Sequence, residues 1–393
     1  MIGSMFRKAM IGDGSTLNLD FTTMTATADL TARGLTFTRG STGTRINASG
    51  FVETMSNNVA RFDHDPSTLA PRGLLVEAQV TNLLNWSASF AISGGTNNFW
   101  NDSNITRSTL GFDPTGVTTA ITFSASAGNA TIISSAAIGT SAARTFSVWL
   151  RRASGTGDIQ YTQNNGTNWT TQAITATWTR YTFTHTVDHR VGIRIVTSGD
   201  AIEMWGAQLE AGSGASSYIP TGASTATRVA DSCEMSNITA LNYSTQTGSV
   251  YWRGIINKQP TSYTTLIGFM TAVDQPTYDT FGNALNYFSS ARGPSLLGGG
   301  QNEISRAYTL GSLIRYASSI NTVTDPIVAV NLNGTAGSAN KNGSGDMYAA
   351  TRFVIGRQPS STYGTSYPSV TIAQIKYWPT AKTASELNAL TTP

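Results

Sequence analysis

Short runs in which apolar and polar residues alternate recur along the whole chain of 393 residues. A period of two is typical of β-strands that bury one face. Clusters of Gly, Asn, Asp and Ser separate the runs at short intervals, as in sandwiches and barrels. The pattern predicts strands at Thr145–Arg151, Trp178–Thr184, Val191–Val196, Ala201–Leu209, Ser249–Ile256, Thr264–Met270, Pro326–Leu332, Arg352–Gly356 and Val370–Trp378.

One helix is predicted, close to the end of the chain. Thr383 precedes Glu386 by three residues, which is the spacing of a capping box, and Leu387 and Leu390 could face a core. The fold class that follows is all-β: two antiparallel β-sandwich (jelly-roll) domains after a small N-terminal β-hairpin attachment segment.

Two changes in pattern divide the chain. The first falls near Leu84, and the second falls in residues 212–231, a Gly-, Ser-, Thr- and Ala-rich stretch typical of a linker. Tyr218, Ile219 and Val229 could nevertheless pack that linker against a neighbour. We predict an N-terminal attachment or oligomerisation segment at 1–84, a jelly roll with its linker at 85–232 and a second sandwich at 233–393.

The composition limits which classes of binding partner are expected. Charged residues make up 12% of the chain and the net charge is +3, without a basic run, so we expect no nucleic-acid partner. No apolar run approaches the roughly 20 residues of a membrane span, so no membrane partner is expected. Cys233 is the single cysteine, which excludes an intrachain disulfide. The start lacks the apolar core of a signal peptide, so synthesis in a cytoplasm without secretory export is expected.

The segment Leu35–Leu84 carries four consecutive patterns: TFTR, NASGFVE, NNVARFDHDP and PRGLLVEAQVTNLL. It resembles a segment that recurs in tail, fibre and other virion proteins of tailed bacteriophages. Gly50 can supply the positive φ of a hairpin turn, and Pro66 should force a second turn. Arg61 and Arg72 could pair with acids of the same segment, namely Asp63, Asp65 or Glu77.

Two looser matches follow. Gln208–Ser213, Ser217–Thr221 and Thr227–Asp231 resemble the close of a carbohydrate-binding-module-like jelly roll. Phe353–Arg357, Val370–Trp378 and Ala384–Leu390 resemble the last strands and helix of a concanavalin A-like, laminin-G-like sandwich. The resemblance implies a tailed-bacteriophage virion structural protein (tail/head fibre or decoration type), assembled in the bacterial host cytoplasm as a homo-oligomer, most often a trimer, with other virion proteins as partners.

An oligomer is also expected from the N-terminal segment itself. Ten of its apolar residues need a surface to bury against, which a neighbouring sandwich or a sister subunit could supply. These residues are Phe37, Ile46, Phe51, Val52, Phe62, Leu74, Leu75, Val76, Leu83 and Leu84.

Patterns of catalytic residues are missing from the sequence. Glycoside hydrolysis needs two carboxylates, but Glu203 stands alone on its strand, with Glu210 seven residues away. No G-x-S-x-G occurs. We therefore expect no enzyme and no cofactor, although acids from distant strands could still meet. His185 and His189 fall in strand-like sequence, so no metal site is predicted from them. Several aspartates lie in turn-like sequence but form no D-x-D-x-D pattern, so the sequence does not decide whether calcium is bound.

Aromatic and amide side chains are the remaining candidates, because sugars stack on Trp and Tyr faces. Trp149, Trp178, Trp205 and Trp252 lie within predicted strands and are expected in the cores. The glycan-binding candidates are Trp169, Asn164, Asn168, Trp100, Tyr363 and Tyr367. The preferred function is a structural protein on a bacteriophage surface (fibre, spike, collar or capsid-decoration subunit), with a host surface polysaccharide as a candidate partner. A host-glycan-binding adhesin module and a polysaccharide depolymerase are the alternatives.

Overall fold

Antiparallel strands dominate the computed structural model. It describes residues 12–90, 99–135, 143–186, 190–258, 264–270, 276–282, 287–290, 302–305, 308–321, 323, 327–337, 349–356 and 367–393. The predicted all-β class with antiparallel sandwiches is confirmed. Each predicted strand coincides with a strand of the structure to within three residues at either end.

The N-terminal segment folds into short strands around a 3-10 turn (Phe21–Thr23) and a short helix, α1 (Thr27–Thr31). The strands are β1 (Leu17–Asp20), β2 (Thr36–Thr38), β3 (Gly43–Ile46), β4 (Val52–Met55), β5 (Arg61–His64), β6 (Pro71–Val76) and β7 (Val80–Asn82). β3 and β4 form the predicted hairpin. Gly50 closes it at φ +83°, and Asn47 Oδ1 accepts the N–H groups of Ser49 and Phe51, both at 3.0 Å.

The first sandwich packs two sheets around one apolar core. Its strands are β8 (Trp100–Ser103), β9 (Ile105–Gly111), β10 (Ala120–Ala125), β11 (Ala130–Ser134), β12 (Arg144–Ser154), β13 (Ile159–Thr162), β14 (Thr170–Thr171), β15 (Thr179–His185), β16 (Gly192–Ile195) and β17 (Ala201–Ala211). The sheet orders are β15-β12-β17-β10-β9 and β14-β13-β16-β11-β8. Phe123 and Phe146 from one sheet meet Ile132 and Ile193 from the other.

The second sandwich follows the same plan with longer sheets. Its residues form β18 (Ala226–Arg228), β19 (Ser232–Met235), a 3-10 turn (Thr239–Leu241), β20 (Thr247–Lys258), β21 (Thr264–Met270), β22 (Pro276–Gly282), β23 (Tyr287–Ser290), β24 (Asn302–Ser305), β25 (Leu313–Asn321), β26 (Ile327–Leu332), β27 (Thr335–Gly337), β28 (Arg352–Ile355) and β29 (Ser369–Trp378). One sheet runs β27-β26-β25-β20-β29-β6-β5, and the other β2-β19-β28-β21-β22-β23-β24. β18 pairs separately with β7.

N-terminal strands therefore complete both sheets of the second sandwich. β6 pairs with residues 370–372 of β29, β1 pairs with residues 374–377 of the same strand, and β2 pairs with β19. Gly73 permits the β6 contact: its φ is +111°, and a Cβ there would lie 2.0 Å from the carbonyl oxygen of Ile372. The first segment thus shares its sheets with strands some 300 residues further along the chain.

The same chain also covers most of the apolar residues that had suggested a sister subunit. Phe62, Leu74 and Val76 lie in the core of the second sandwich. Val52 packs on the first sandwich, whereas Phe51 stays 44% exposed. These side chains therefore do not call for a second subunit, apart from Phe51.

The C-terminal helix, α2 (Ala384–Thr391), confirms the predicted capping box. Thr383 N donates to Glu386 Oε2 at 2.8 Å, and Glu386 N donates to Thr383 Oγ1 at 3.3 Å. Leu387 is buried against Trp378 on the outer face of the long sheet, and Leu390 packs at the edge of this cluster. The helix therefore covers the face of the sheet that points away from the core.

Candidate functional site

The four-part N-terminal pattern and the linker meet in one buried ion cluster (Arg39, Arg61, Glu77, Arg228 and Asp231). Arg61 lies at its centre: Nη1 is 2.7 Å from Glu77 Oε2, and Nη2 is 2.5 Å from Asp231 Oδ2. Arg228 Nη1 approaches Glu77 Oε2 at 2.7 Å, and Arg39 Nη1 approaches Asp231 Oδ1 at 3.3 Å. The five side chains are at most 1% exposed.

Backbone hydrogen bonds reinforce the cluster. Glu77 N donates to Asp231 Oδ2 at 2.8 Å, and Asp231 N donates to the carbonyl oxygen of Glu77 at 2.9 Å. Burial opposes ionisation of Glu77, but the guanidinium groups of Arg228 and Arg61 outweigh it and hold the pKa of Glu77 at about 2. Glu77 therefore remains ionised at neutral pH, although the Nε atoms of Arg61 and Arg228 are buried without a hydrogen-bond partner.

The cluster both confirms and extends the sequence expectations. The predicted pairs Arg61–Glu77 and Arg72–Asp65 are present, the second at 2.6 Å. Asp63 makes no ion pair with Arg61; its Oδ1 accepts the N–H of Ile46 at 2.7 Å. The contributions of the linker were missed, because no spacing rule links a carboxylate to an arginine 170 residues away.

The predicted linker is packed against this cluster. Ser217 N and Oγ donate to the two oxygens of Glu77 at 2.7 and 2.6 Å. Ser216 Oγ donates to Glu210 Oε2 at 2.6 Å, and Lys258 Nζ donates to Glu210 Oε1 at 2.8 Å. The linker therefore joins the first segment, the last strand of the first sandwich and β20 of the second.

The β3–β4 hairpin is seated on an aromatic cluster of the first sandwich. Val52 packs with Trp149, Trp205 and Tyr218, whose rings meet edge-on or tilted at centroid distances of 4.7–5.5 Å. Tyr218 OH and Ser87 Oγ lie 2.6 Å apart, and burial raises the pKa of Tyr218. The contact covers the outer face of β12 and β17, so these strands are buried on both faces.

Trp169 lies half-buried on the outer face of the β14-β13-β16 edge of the first sandwich. The guanidinium carbon of Arg194 is 4.5 Å from its ring centroid. Arg194 also donates to Gln160 Oε1, at 2.7 Å from Nε, and Gln160 Nε2 donates to Thr171 Oγ1 at 3.1 Å. Together these residues form a polar row beside an aromatic ring.

The two asparagines near Trp169 have different roles. Asn164 Oδ1 accepts from Thr162 Oγ1 and from Asn168 N, both at 2.9 Å, so Asn164 holds the loop in shape. Asn168 itself is exposed. Tyr367 is half-buried just before β29. Tyr363 lies outside the described residues.

The prediction that Trp100 binds a glycan is wrong. Trp100 is only 3% exposed and packs against Phe90 and Phe99, with ring centroids at 5.2 and 5.6 Å, while its Nε1 donates to the carbonyl oxygen of Trp86 at 3.3 Å. Its ring offers no free face, so it belongs to the core. Three of the tryptophans expected in the cores are buried, Trp149, Trp205 and Trp252; Trp178 is half-buried.

The acids considered for glycoside hydrolysis are paired with cations. Glu203 contacts Arg151, and Glu210 contacts Lys258. Among the described residues, no group of three or more His, Cys, Asp and Glu is arranged to hold a metal ion; His189 lies outside those residues. A cleft of about 60 Å³ between β3 and the linker is lined by Thr42, Thr44, Pro220 and Thr227 among others, which is far below the roughly 300 Å³ of small-molecule sites.

In the part of the chain that the structure describes, neither helix has the length and apolar character needed to cross a bilayer.

No family model and no curated protein sequence matches the chain. Several solved structures are similar at low identity. A Trypanosoma rangeli sialidase is 14% identical with a TM-score of 0.31, over 40% of this chain and 25% of its own. The CBM40 of the Ruminococcus gnavus IT-sialidase, bound to α2,3-sialyllactose, is 12% identical with a TM-score of 0.31, over 39% and 86%. The native heptameric SAP-like pentraxin of Limulus polyphemus is 16% identical with a TM-score of 0.31, over 38% and 70%. The chain thus spans a quarter of the length of the sialidase.

Proposed function

We propose that this protein is a structural subunit on the surface of a bacteriophage particle, without catalytic activity, assembled in the host cytoplasm as a homo-oligomer, most often a trimer, alongside other virion proteins. The resemblance of Leu35–Leu84 to phage virion proteins provides the class. One observation carries the proposal further: three charged residues of that pattern are buried inside the molecule, where they hold parts of the chain together. Arg39, Arg61 and Glu77 are all buried in the ion cluster.

A catalytic site would leave such groups facing a cleft where a substrate could reach them. Here, each charge of the cluster faces another charge or a backbone group, and together they tie three parts of the chain. A structural role fits this arrangement. A rigid two-sandwich body is what a fibre, spike, collar or capsid-decoration subunit requires.

The direct test compares particles with and without the protein. Particles from a host strain that carries the intact gene and from a deletion strain would be purified and imaged by cryo-electron microscopy. We expect the deletion particles to lack a density that accommodates the two sandwiches, and the protein to be present in stoichiometric amount in the intact particles. Particles identical in both strains, with the protein left in the cell lysate, would overturn the proposal.

Glycan binding is the second candidate, supported by the row of Trp169, Arg194, Gln160 and Thr171. A half-exposed ring beside fixed donors and acceptors is suited to a sugar. Arg194 is held by Gln160 and stays oriented without a ligand. A host surface polysaccharide is the partner class that this row would suit.

A glycan array with purified protein tests this candidate. Trp169→Ala should abolish any binding, whereas Trp178→Ala should not. Trp178 is a matched control because it is also half-buried beneath an arginine, with Arg151 at 4.9 Å, but lies at the other sheet. Binding that survives Trp169→Ala, or no binding by the wild type, would exclude the row as a glycan site.

A further inference from the structure

Four exposed apolar side chains lie on neighbouring loops where the hairpin meets the first sandwich. Phe51, Leu69, Phe112 and Val117 are 44, 46, 66 and 54% exposed; we call them the apolar ridge. They are adjacent through their loops. A Cβ built at Gly50 would lie 2.9 Å from Leu69 Cδ2, and one built at Gly116 would lie 3.4 Å from the Phe51 ring.

The loop that displays Phe112 and Val117 is held in a fixed conformation. Asp113 Oδ1 accepts from Thr115 N and Oγ1 at 2.7 and 2.6 Å, and Oδ2 accepts from Thr119 Oγ1. The carbonyl oxygen of Phe112 accepts from Trp178 Nε1 at 2.8 Å. The loop is also tied to the hairpin, because Val52 N donates to the carbonyl oxygen of Pro114 at 2.8 Å. The exposed side chains are therefore presented by a preorganised surface.

Charges around the ridge are already neutralised within the chain. Arg45 pairs with Glu53 at 2.9 Å, Arg72 pairs with Asp65 at 2.6 Å, and Arg151 contacts Glu203. An anionic lipid surface or an acidic partner would need free basic groups at this rim. A second copy of the same neutral rim meets no like-charge repulsion, so the charge pattern favours a copy of this chain.

The exposed apolar area limits the strength of such a contact. Large side chains present roughly 150–250 Å² each, so the four together expose roughly 300–500 Å². Two facing copies would bury about twice that area before any rim contact. This is below the ~1,200–2,000 Å² of a stable dimer, and near the size of weak contacts. Such a contact is weak in solution and is reinforced where many copies are held together.

We propose that the apolar ridge is a self-association surface, which packs against the same ridge of a second copy of this chain. Phe112, the most exposed of the four, inserts at the centre, and the paired charges form the rim. The claim rests on the proposed self-association. Because the same ridge lies on both sides, the contact joins copies in pairs about a twofold axis and is separate from the threefold contacts of a trimer, so the two can fail separately.

Sedimentation velocity over a concentration series tests it with the full chain. We expect the wild type to associate as concentration rises, and Phe112→Asp to weaken association at least about tenfold. Val323→Asp is the matched control, because Val323 is 60% exposed and lies in the second sandwich, outside the ridge; it should associate like the wild type. Val117→Asp should repeat the effect of Phe112→Asp, and unfolding temperatures close to that of the wild type would show that the variants are folded.

A wild type that stays monomeric at every concentration would overturn both the oligomer and the ridge. Association that Phe112→Asp and Val117→Asp leave unchanged would overturn the ridge alone. Sedimentation with neutral lipid vesicles adds a further outcome: a monomer that binds vesicles through Phe112 would assign the ridge to a membrane surface instead.

Discussion

Arg61 and Asp231 lie 2.5 Å apart, Nη2 to Oδ2, although 170 residues separate them in the sequence. The first belongs to the N-terminal segment and the second to the end of the linker. Because both are buried, their contact fixes the start of the chain to the junction between the two sandwiches. This contact is the centre of the ion cluster, which also includes Glu77, Arg39 and Arg228.

Removing the charge of Asp231 should be costly. Asp231→Asn leaves Arg39 and Arg61 buried with one carboxylate fewer, and breaking a buried pair on one side costs about 3–5 kcal/mol. Glu53→Gln makes the same chemical change in the Arg45–Glu53 pair, where the carboxylate is 41% exposed, so it should cost about 1 kcal/mol or less. Urea unfolding of both variants measures the difference. Equal losses would show that burial of the cluster carries no special weight.

Asp63 should make stability depend on pH. Burial raises its pKa from 3.8 to about 6, partly offset by the hydrogen bond from Ile46 N. A carboxyl group with a raised folded-state pKa favours folding while it is protonated, so this contribution is lost as pH rises from about 4 to 6. Asp63→Asn should therefore exceed the wild type in free energy of unfolding at pH 7 by up to roughly 3 kcal/mol.

The advantage of Asp63→Asn should fade below pH 4, where the wild-type carboxyl is protonated in both states. Urea unfolding of both proteins over a pH series measures it. A difference between them that does not change with pH would contradict the buried, destabilised carboxylate.

Substitution of Gly73 should destabilise the protein more than substitution of another glycine with positive φ. Gly73→Ala would place Cβ 2.0 Å from the carbonyl oxygen of Ile372 and force β6 away from β29, so we expect a loss above about 4 kcal/mol. Gly199 has φ +87° but nothing within 4 Å of a Cβ, so Gly199→Ala should cost only about 1–2 kcal/mol. Thermal unfolding compares the two, and similar losses would argue against the β6–β29 contact.

Local patterns predicted much of the secondary structure. Alternation marks strands such as β12, β20 and β29 because one face of each meets a core, and Thr383 and Glu386 mark the helix because a capping box needs only three residues of spacing. The strand β25 (Leu313–Asn321) was not predicted, although it lies beside β20 in the long sheet. Its apolar residues are interrupted by Arg315 and by Ser318 and Ser319, which blurs the alternation.

Long-range pairing could not be read from the sequence. The charges of Arg39, Arg228 and Asp231 stand in recognised patterns, but nothing in their spacing says that they meet. Trp100 was misassigned for the same reason: the sequence before it is mostly polar, yet Phe90 and Phe99 pack against it. Trp169 differs from it only through its tertiary setting at a sheet edge.

Differential scanning calorimetry of the full chain tests most directly whether the ion cluster joins the two sandwiches. If N-terminal strands complete the second sandwich while the ion cluster and hairpin hold the first, both sandwiches should unfold together. We expect one transition with equal calorimetric and van't Hoff enthalpies in the wild type, and two transitions in Asp231→Asn. Two separate transitions in the wild type, unchanged by Asp231→Asn, would contradict it.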